Sequence, residues 1–245
     1  MKVLYGVTGE GMGHAMRSRV VLEHLLSHDH DLEIIASGKA AEYLGKRFEG
    51  VSKIHGFHMI LEENRVRKGK TLWSNVLKGV MGVPTNIRAY FDQVEKLQPD
   101  VVMVMTTVWD VLDRRLTKDG PLLPATDPAV EAAMVASLGE FTDRLLALGV
   151  PRVVWVDGPV PLGSLVGGDD SQAQPARHAT LHRAVASVAA TRPAVRVVDL
   201  AAWLHDQPIG ADRSARLDGV HWTGKAALQI SAEFLGAALV QAALS

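Results

Sequence analysis

The chain contains no cysteine, which excludes a disulfide framework and a thiolate metal site. It also lacks an excess of either charge, because 26 Lys and Arg stand against 27 Asp and Glu for a formal net charge of −1. This balance gives no electrostatic reason to expect a nucleic-acid partner, and we predict none. The apolar runs are only as long as a strand, whereas a membrane span needs roughly 20 residues. The opening residues 1–5 resemble a strand more than a signal peptide. We therefore expect no membrane contact and a cytoplasmic location.

The rest of the composition is that of an ordinary globular protein. The chain has 245 residues, of which 47% are hydrophobic and 22% are charged. These values exclude the disordered and fibrous classes, and the length allows a sizeable core. The sequence predicts a single α/β domain over residues 1–245.

Short β-branched runs alternate with segments of helical periodicity along the chain. The predicted strands are Lys2–Val7, Leu32–Ser37, Ser52–His58, Asp100–Met105, Arg152–Asp157 and Val195–Leu200. The predicted helices are Ala15–His28, Lys39–Phe48, Leu72–Met81, Asn86–Leu97, Pro128–Gly149, Ala176–Thr191 and Thr223–Leu244. The helix from Pro128 has the clearest signals, with Asp127 as its N-cap and Gly149 after its last turn.

This alternation predicts a doubly wound, mostly parallel sheet of about six strands with helices on both faces. The predicted architecture is a three-layer sandwich of the Rossmann or flavodoxin-like kind. In such sheets the functional crevice lies beyond the carboxyl ends of the strands. The loops after the first, fourth and fifth strands and the segment before the last helix are therefore the places to look for a site.

A glycine-rich turn follows the first predicted strand. Gly9, Gly11 and Gly13 alternate with other residues, and His14 follows them just before the first helix. Such a turn lets a ligand approach the backbone, close to the free N–H groups at a helix N-terminus. It differs from the dinucleotide-binding pattern, because the third glycine comes one residue early and no acid ends the second strand. We expect no nicotinamide and no other cofactor.

The run from Gly9 to His14, continued by Arg17 and Ser18, resembles the opening of two-domain (GT-B type) glycosyltransferases. The resemblance covers residues 1–101 and implies an acceptor-binding role for this half, with His14 as a base or acceptor-binding group. The alternative is that His14 only caps the helix. The residues after 101 do not resemble the second domain that binds the sugar nucleotide in that family. The resemblance therefore implies binding of a sugar nucleotide or acceptor without turnover.

Residues 98–245 resemble SGNH (GDSL-like) hydrolases, in particular the SGNH domains attached to acyltransferases. The most specific match is Asp218-Gly219-Val220-His221, shortly before the last helix. In this family an Asp-x-x-His supplies a base and its orienting carboxylate, which implies these roles for His221 and Asp218. One imidazole nitrogen must face the nucleophile while the other donates to the carboxylate. The alternative is an N-cap at Asp218 and a surface histidine.

The Gly-Asp-Ser turn of that family is missing. The resemblance puts Thr8 where the nucleophilic serine belongs, and a threonine hydroxyl attacks when a base activates it, although its methyl group crowds the approach. The alternative is that Thr8 is only a turn residue. The loop after the fourth strand contains Trp109 and Asp110 as candidate ligand-binding residues. An acid would oppose an oxyanion there, so Asp110 either binds substrate or caps a helix.

The two resemblances meet near residues 98–102, and together they imply one continuous sheet with the strand order 3-2-1-4-5-6. Nine of the ten lysines lie at or before Lys118, and arginine is the prevailing basic residue after it. We interpret the chain as a recombined one, a chimera with a glycosyltransferase-like half over residues 1–101 and a hydrolase-like half over residues 102–245. A single divergent family that only looks composite is the competing interpretation.

Three functional hypotheses follow from these observations. The first is an SGNH-like hydrolase of small acyl or acetyl esters, weak or inactive without the serine, with Thr8 or water as nucleophile. The second is a glycosyltransferase-like module that binds a sugar nucleotide or acceptor through Gly9, Gly11, Gly13 and His14. The third is a folded scaffold without activity. None of the ten histidines pairs at a metal-binding spacing, so no metal is predicted.

Overall fold

The computed structural model describes residues 2–7, 12–54, 61–62, 65–66, 88–164 and 170–245. The chain divides into two compact units. Unit 1 comprises Met1–Asp100 with Leu148–Val150, and unit 2 comprises Val101–Ala147 with Pro151–Ser245. Each unit has a parallel three-stranded sheet of its own. The single domain with an ancestral junction near 98–102 stays a prediction.

Unit 1 begins with a regular β-α-β-α-β arrangement. Its elements in chain order are β1 (Lys2–Val7), α1 (Met12–Ser27), β2 (Asp31–Ser37), α2 (Gly38–Leu44) and β3 (Val51–Ile54). The strand order is β1-β2-β3, and both pairs are parallel. Leu22 of α1, Ile34 of β2 and Leu44 of α2 are almost completely buried in one apolar cluster. Parallel strands that a helix crosses over bury their apolar residues in this way.

Three further elements are described in unit 1. A two-residue antiparallel pair joins β4 (Leu61–Glu62) to β5 (Arg65–Val66), which the sequence patterns did not predict. Residues 88–97 are helical (α3), which confirms most of the predicted helix Asn86–Leu97. The predicted helix Leu72–Met81 lies outside the described residues.

The sheet of unit 2 consists of β6 (Val102–Met105), β7 (Val153–Val156) and β8 (Val195–Val198). The strand order is β6-β7-β8, again parallel throughout. All four residues of β7 are buried, as expected for the central strand of a sheet that is covered on both faces. The loops after these three strands therefore begin at the same edge of the sheet.

Helices cover both faces of this second sheet. On one face α4 (Pro128–Ala147) and α5 (Pro175–Ala190) pack together, and Trp155 donates to Thr142 Oγ1 of α4 over 3.2 Å. On the other face, Val154 and Val156 pack in one cluster with residues of four C-terminal segments. These segments are α6 (Leu200–His205), α8 (Gly224–Ile230), the π-helical Ser231–Leu235 and α9 (Gly236–Leu244). A one-turn helix, α7 (Pro208–Ala211), follows α6.

The α/β class and the six parallel strands agree with the sequence prediction. Within the described residues, however, these six strands form two sheets of three, whereas the sequence predicted one continuous sheet. The neighbours inside each sheet are the predicted ones, so the orders 3-2-1 and 4-5-6 both occur.

Two element boundaries differ from the prediction for a physical reason. The helix predicted to reach Phe48 ends at Leu44, since the Gly45, Arg47 and Phe48 N–H groups close a turn on the carbonyl oxygens of Ala41 and Leu44. Leu200 belongs to α6 and not to the preceding strand. Asp199 caps that helix by accepting from Ala202 N over 2.8 Å.

One helical stretch of the described residues, Gly224–Leu244, is long and apolar enough to cross a membrane. Its most apolar window has a mean hydropathy of 1.4, and 11% of that window is buried. The sequence analysis missed this stretch because Lys225, Gln229 and Glu233 interrupt the apolar residues. A single such helix is weak evidence for a membrane span, and the predicted cytoplasmic location stays an expectation.

Candidate active site

The Asp-x-x-His segment of unit 2 forms a tight turn at Gly219. This glycine has φ of +80°, a left-handed conformation that favours glycine. Its carbonyl oxygen accepts from Leu162 N over 2.7 Å. A Cβ atom at this position would lie 2.8 Å from Gly163 N, so no larger residue fits without a shift of the backbone. The loop after β7 thus packs directly against the turn that contains the candidate residues.

Asp218 and His221 lie on either side of this turn and form a short hydrogen bond. His221 Nδ1 is 2.6 Å from Asp218 Oδ2. The other carboxylate oxygen, Oδ1, accepts from the backbone N–H of Val220 over 2.9 Å and of His221 over 2.7 Å. Burial on its own would raise the pKa of Asp218, but the hydrogen bonds from the His221 ring and these N–H groups lower it overall. The carboxylate is therefore ionised, and it holds the proton of the imidazole on Nδ1.

This geometry makes Nε2 of His221 the basic nitrogen of the pair. An imidazole held by a carboxylate through Nδ1 takes a proton at Nε2, and the carboxylate stabilises the imidazolium that results. The side chain of His221 is 29% exposed and that of Asp218 is 48% exposed, so the pair lies at the surface. The arrangement suits general-base chemistry on a water molecule or a hydroxyl group.

Arg216, which the sequence analysis did not single out, stabilises the segments around the turn at Gly219. It is 3% exposed, donates to Val160 O over 3.0 Å and also donates to Gly210 O. Its guanidinium lies 4.0 Å from the ring centroid of Trp222. Within the described residues Nε has no hydrogen-bond partner, and burial lowers the pKa of Arg216 to about 10. The cation joins three segments of chain around the turn.

Trp109 and Asp110 lie in the loop after β6. Asp110 Oδ2 accepts from Thr107 N over 2.7 Å and from Thr107 Oγ1 over 2.9 Å, so the carboxylate closes its own turn. Trp109 is 50% exposed. A ligand-binding role for either residue stays a prediction.

A second group of polar residues lies at the carboxyl edge of the same sheet. Thr106 Oγ1, after β6, accepts from Gly158 N over 2.8 Å, and His182 Nε2 of α5 is 3.1 Å from Gly158 O. Asp157, directly after β7, is 4% exposed, and among the described residues its Oδ1 has no hydrogen-bond partner. Desolvation by burial, followed by the charge of Asp199, raises the pKa of Asp157 to about 7. Its place at the end of a strand was the one sequence signal for this residue.

The candidate residues of the glycine-rich turn are described only in part. Thr8, Gly9 and Gly11 lie outside the described residues, whereas Gly13 and His14 belong to the first turn of α1. The roles of these five residues stay predictions, as does a common cleft for Thr8 and the Asp218–His221 pair. In the part of the chain that the structure describes, no group of three or more His, Cys, Asp or Glu could hold a metal ion.

Comparisons with known proteins give two different similarities. Residues 1–117 match a family model described as glycosyl transferase family 1, which extends beyond the resemblance predicted for residues 1–101. No curated protein matches the chain with significant similarity. A crystal structure of the lipase/acylhydrolase from Enterococcus faecalis matches with 17% identity and a TM-score of 0.49, over 98% of this chain and 93% of that one. The first of these similarities agrees with the resemblance of the front of the chain to glycosyltransferases.

Proposed function

We propose that the chain is a weak hydrolase of small acyl or acetyl esters, in which His221 is the general base and Asp218 orients it. The hydrogen bond of 2.6 Å between His221 Nδ1 and Asp218 Oδ2 is the observation that carries this proposal. Two backbone N–H groups fix the carboxylate, so the ring orientation is set before a substrate binds.

In the proposed reaction His221 Nε2 removes a proton from a water molecule or a hydroxyl group as it attacks the ester carbonyl. The C–O bond to the alcohol then breaks, and the imidazolium returns its proton to the leaving oxygen. Where a hydroxyl group of the protein attacks, a water molecule activated by His221 then hydrolyses the resulting acyl-enzyme and releases the acid. Asp218 remains ionised and stabilises the imidazolium during this exchange. Turnover is slow because the chain lacks the activated serine of the hydrolases that it resembles.

The test is hydrolysis of an aryl acetate by the purified chain and by His221→Ala. Loss of a general base costs about 100-fold or more in rate. His205→Ala is the matched control, because an exposed imidazole reacts with aryl acetates by itself and His205 is an exposed histidine at the end of α6. We expect His221→Ala to abolish the enzymatic rate and His205→Ala to retain it. Equal rates of aryl acetate hydrolysis in the two variants would refute the proposed hydrolase activity.

Thr8→Ser tests whether the Thr8 hydroxyl or a water molecule attacks the ester. A serine hydroxyl lacks the methyl group that crowds the approach of a threonine to a carbonyl carbon. If the Thr8 hydroxyl is the nucleophile, the variant hydrolyses the aryl acetate clearly faster, and an acyl-enzyme burst appears in stopped-flow traces. An unchanged rate assigns the attack to water.

We propose as second candidate that the front of the chain binds a sugar nucleotide or an acceptor sugar without turnover. The match of residues 1–117 to glycosyl transferase family 1 favours it. Calorimetric titration with nucleoside diphosphate sugars tests this binding, and Gly11→Val, which would block close approach to the backbone, is the control. An absence of binding heat at millimolar ligand would refute this second proposal. If neither hydrolysis nor binding is observed, the remaining hypothesis is a folded scaffold without activity.

A further inference from the structure

Asp157 stands out because a buried carboxyl group normally has hydrogen-bond partners. It follows the central strand β7 and is only 4% exposed. Among the described residues no donor reaches its Oδ1 atom. The ester chemistry proposed above does not use it. A carboxyl group in this position is tolerated in its neutral form and strongly disfavoured as an anion.

Within the described residues, few charged groups surround this carboxyl group. Burial raises the pKa of Asp157, and the charge of Asp199, the residue after β8, raises it further. His182 of α5 contacts the next residue through Gly158 O. Burial lowers the pKa of His182, so this ring is neutral near pH 7 and offers no cation. The buried residues of α4 and α9, the helices packed on β7, carry no charge: Val130, Met134, Gly139, Thr142, Leu145 and Ala242.

The loop that leaves Asp157 leads directly to the Asp218–His221 turn. Its first residue, Gly158, donates to Thr106 Oγ1, and a Cβ atom there would lie 2.5 Å from Thr106 O. Further along, Val160 O accepts from Arg216, and Leu162 N donates to Gly219 O over 2.7 Å. The loop over residues 158–164 is thus held at one end beside Asp157 and at the other by the turn of the candidate active site.

We propose that Asp157 is a proton-dependent positioning residue, which seats the loop over residues 158–164 against Gly219 when it is protonated and loosens that loop when it is ionised. The ionised group moves toward water and away from Asp199, and the Leu162–Gly219 hydrogen bond opens more often. The effect on catalysis rests on the proposed ester hydrolysis, whereas the effect on the loop does not.

The direction of the pH effect follows from linkage. The folded-state pKa of Asp157, about 7, lies above the ordinary value of 3.8 for an aspartate. The folded state therefore holds this proton between the two values, and the stability that it contributes is complete below the lower value. That contribution is lost as the pH rises toward the upper value.

The experiment measures protection of the Leu162 amide against hydrogen exchange by NMR, from about pH 5.5 to 8.5, with intrinsic exchange rates divided out. We expect protection in the wild type to fall about tenfold across this range. Asp157→Asn, which imitates the neutral carboxyl group, should keep its protection constant. The same decrease in both proteins would overturn the proposal.

Asp199→Asn provides a second test that does not require the first variant to fold. Asparagine caps helices as well as aspartate does, so α6 keeps its start while the charge near Asp157 disappears. We expect the midpoint of the Leu162 transition to move to lower pH. An unmoved midpoint would contradict the proposal. The amide readout needs no turnover, so a chain without esterase activity but with the predicted transition refutes only the hydrolase.

Discussion

The two units have the same strand–helix alternation but different interiors. Among the described residues, the buried polar side chains of unit 1 are Ser18 and Ser37 alone. Unit 2 has nine, namely Thr106, Thr142, Asp157, Ser171, Gln172, Arg177, His178, Thr180 and Arg216. Buried polar groups need specific partners, so they fix the positions of the segments that contain them.

Several of these side chains join the loops at the carboxyl edge of the unit 2 sheet. Gln172, which is completely buried, donates to Val108 O over 3.3 Å and accepts from Ser164 Oγ over 3.1 Å. Arg177 binds Val111 O and the carboxylate of Asp113. In the described part of unit 1 the core is apolar, and its candidate ligand residues depend on one glycine-rich turn. The comparison teaches that the described loops of unit 2 are fixed by buried polar side chains.

The largest expected effect tests whether the two units unfold together. Ile34→Ala truncates a side chain of unit 1 that is 1% exposed, which costs about 2–5 kcal/mol. Four of the five tryptophans belong to unit 2, so their fluorescence in a Trp73→Phe background reports on that unit. For the predicted single domain, fluorescence and circular dichroism shift together to lower denaturant. Unit 2 fluorescence at its wild-type midpoint would establish two independent domains.

A glycine substitution in each unit gives the next largest contrast. Gly219→Ala places a methyl group 2.8 Å from Gly163 N at a φ of +80°, which should cost about 2–3 kcal/mol. Gly6→Ala in β1 meets no described atom within 4 Å and should change stability by less than about 0.5 kcal/mol. Urea unfolding measures both. A comparable loss in the two variants would mean that the turn at Gly219 tolerates a side chain.

Asp157→Asn should remove a pH dependence that belongs to unit 2. The raised pKa makes the wild type lose stability from about pH 4 to about pH 7, and the variant should not share this loss. We expect the variant to gain on the order of 2 kcal/mol relative to the wild type at pH 8 compared with pH 4. Thermal unfolding at several pH values measures the difference. Asp206→Asn, at an exposed position, is the control, and a similar gain there would refute the assignment to Asp157.

The smallest effect concerns Asp110. Asp110→Ala removes the acceptor for Thr107 N and Thr107 Oγ1 and should cost about 1 kcal/mol in chemical unfolding. If the residue only closes its turn, Asp110→Asn recovers most of the stability and aryl acetate hydrolysis stays at the wild-type rate. A loss of rate in a stable Asp110→Asn variant would support the alternative role in substrate binding.

Much of the fold was predictable because its signals are local. β1 has its predicted ends, and α4 begins at Pro128 with Asp127 accepting from Ala129 N over 2.8 Å. The helices α6 and α7 were not predicted, although Asp199 and Pro208 are ordinary helix-start residues in retrospect. They are six and four residues long, too short for apolar periodicity to show.

In the candidate site, too, only the features with local signals were predictable from the sequence. Asp218 and His221 were predicted as partners because only two residues separate them, and the structure gives their hydrogen bond. Asp157 and Arg216 carried no comparable signal. The burial of Asp157 Oδ1, which no described donor reaches, and the stacking of Arg216 on Trp222 depend on segments that meet only in the folded chain.

The sequence by itself determined the strand and helix order, the glycine required at 219 and the acid–imidazole spacing, because each depends on neighbouring residues and on backbone geometry. Tertiary structure decided the division of six strands into two sheets and the burial of Asp157 beside Asp199. The physical reason is that the ionisation of a carboxyl group depends on its solvation and on the charges around it, which chain order does not specify.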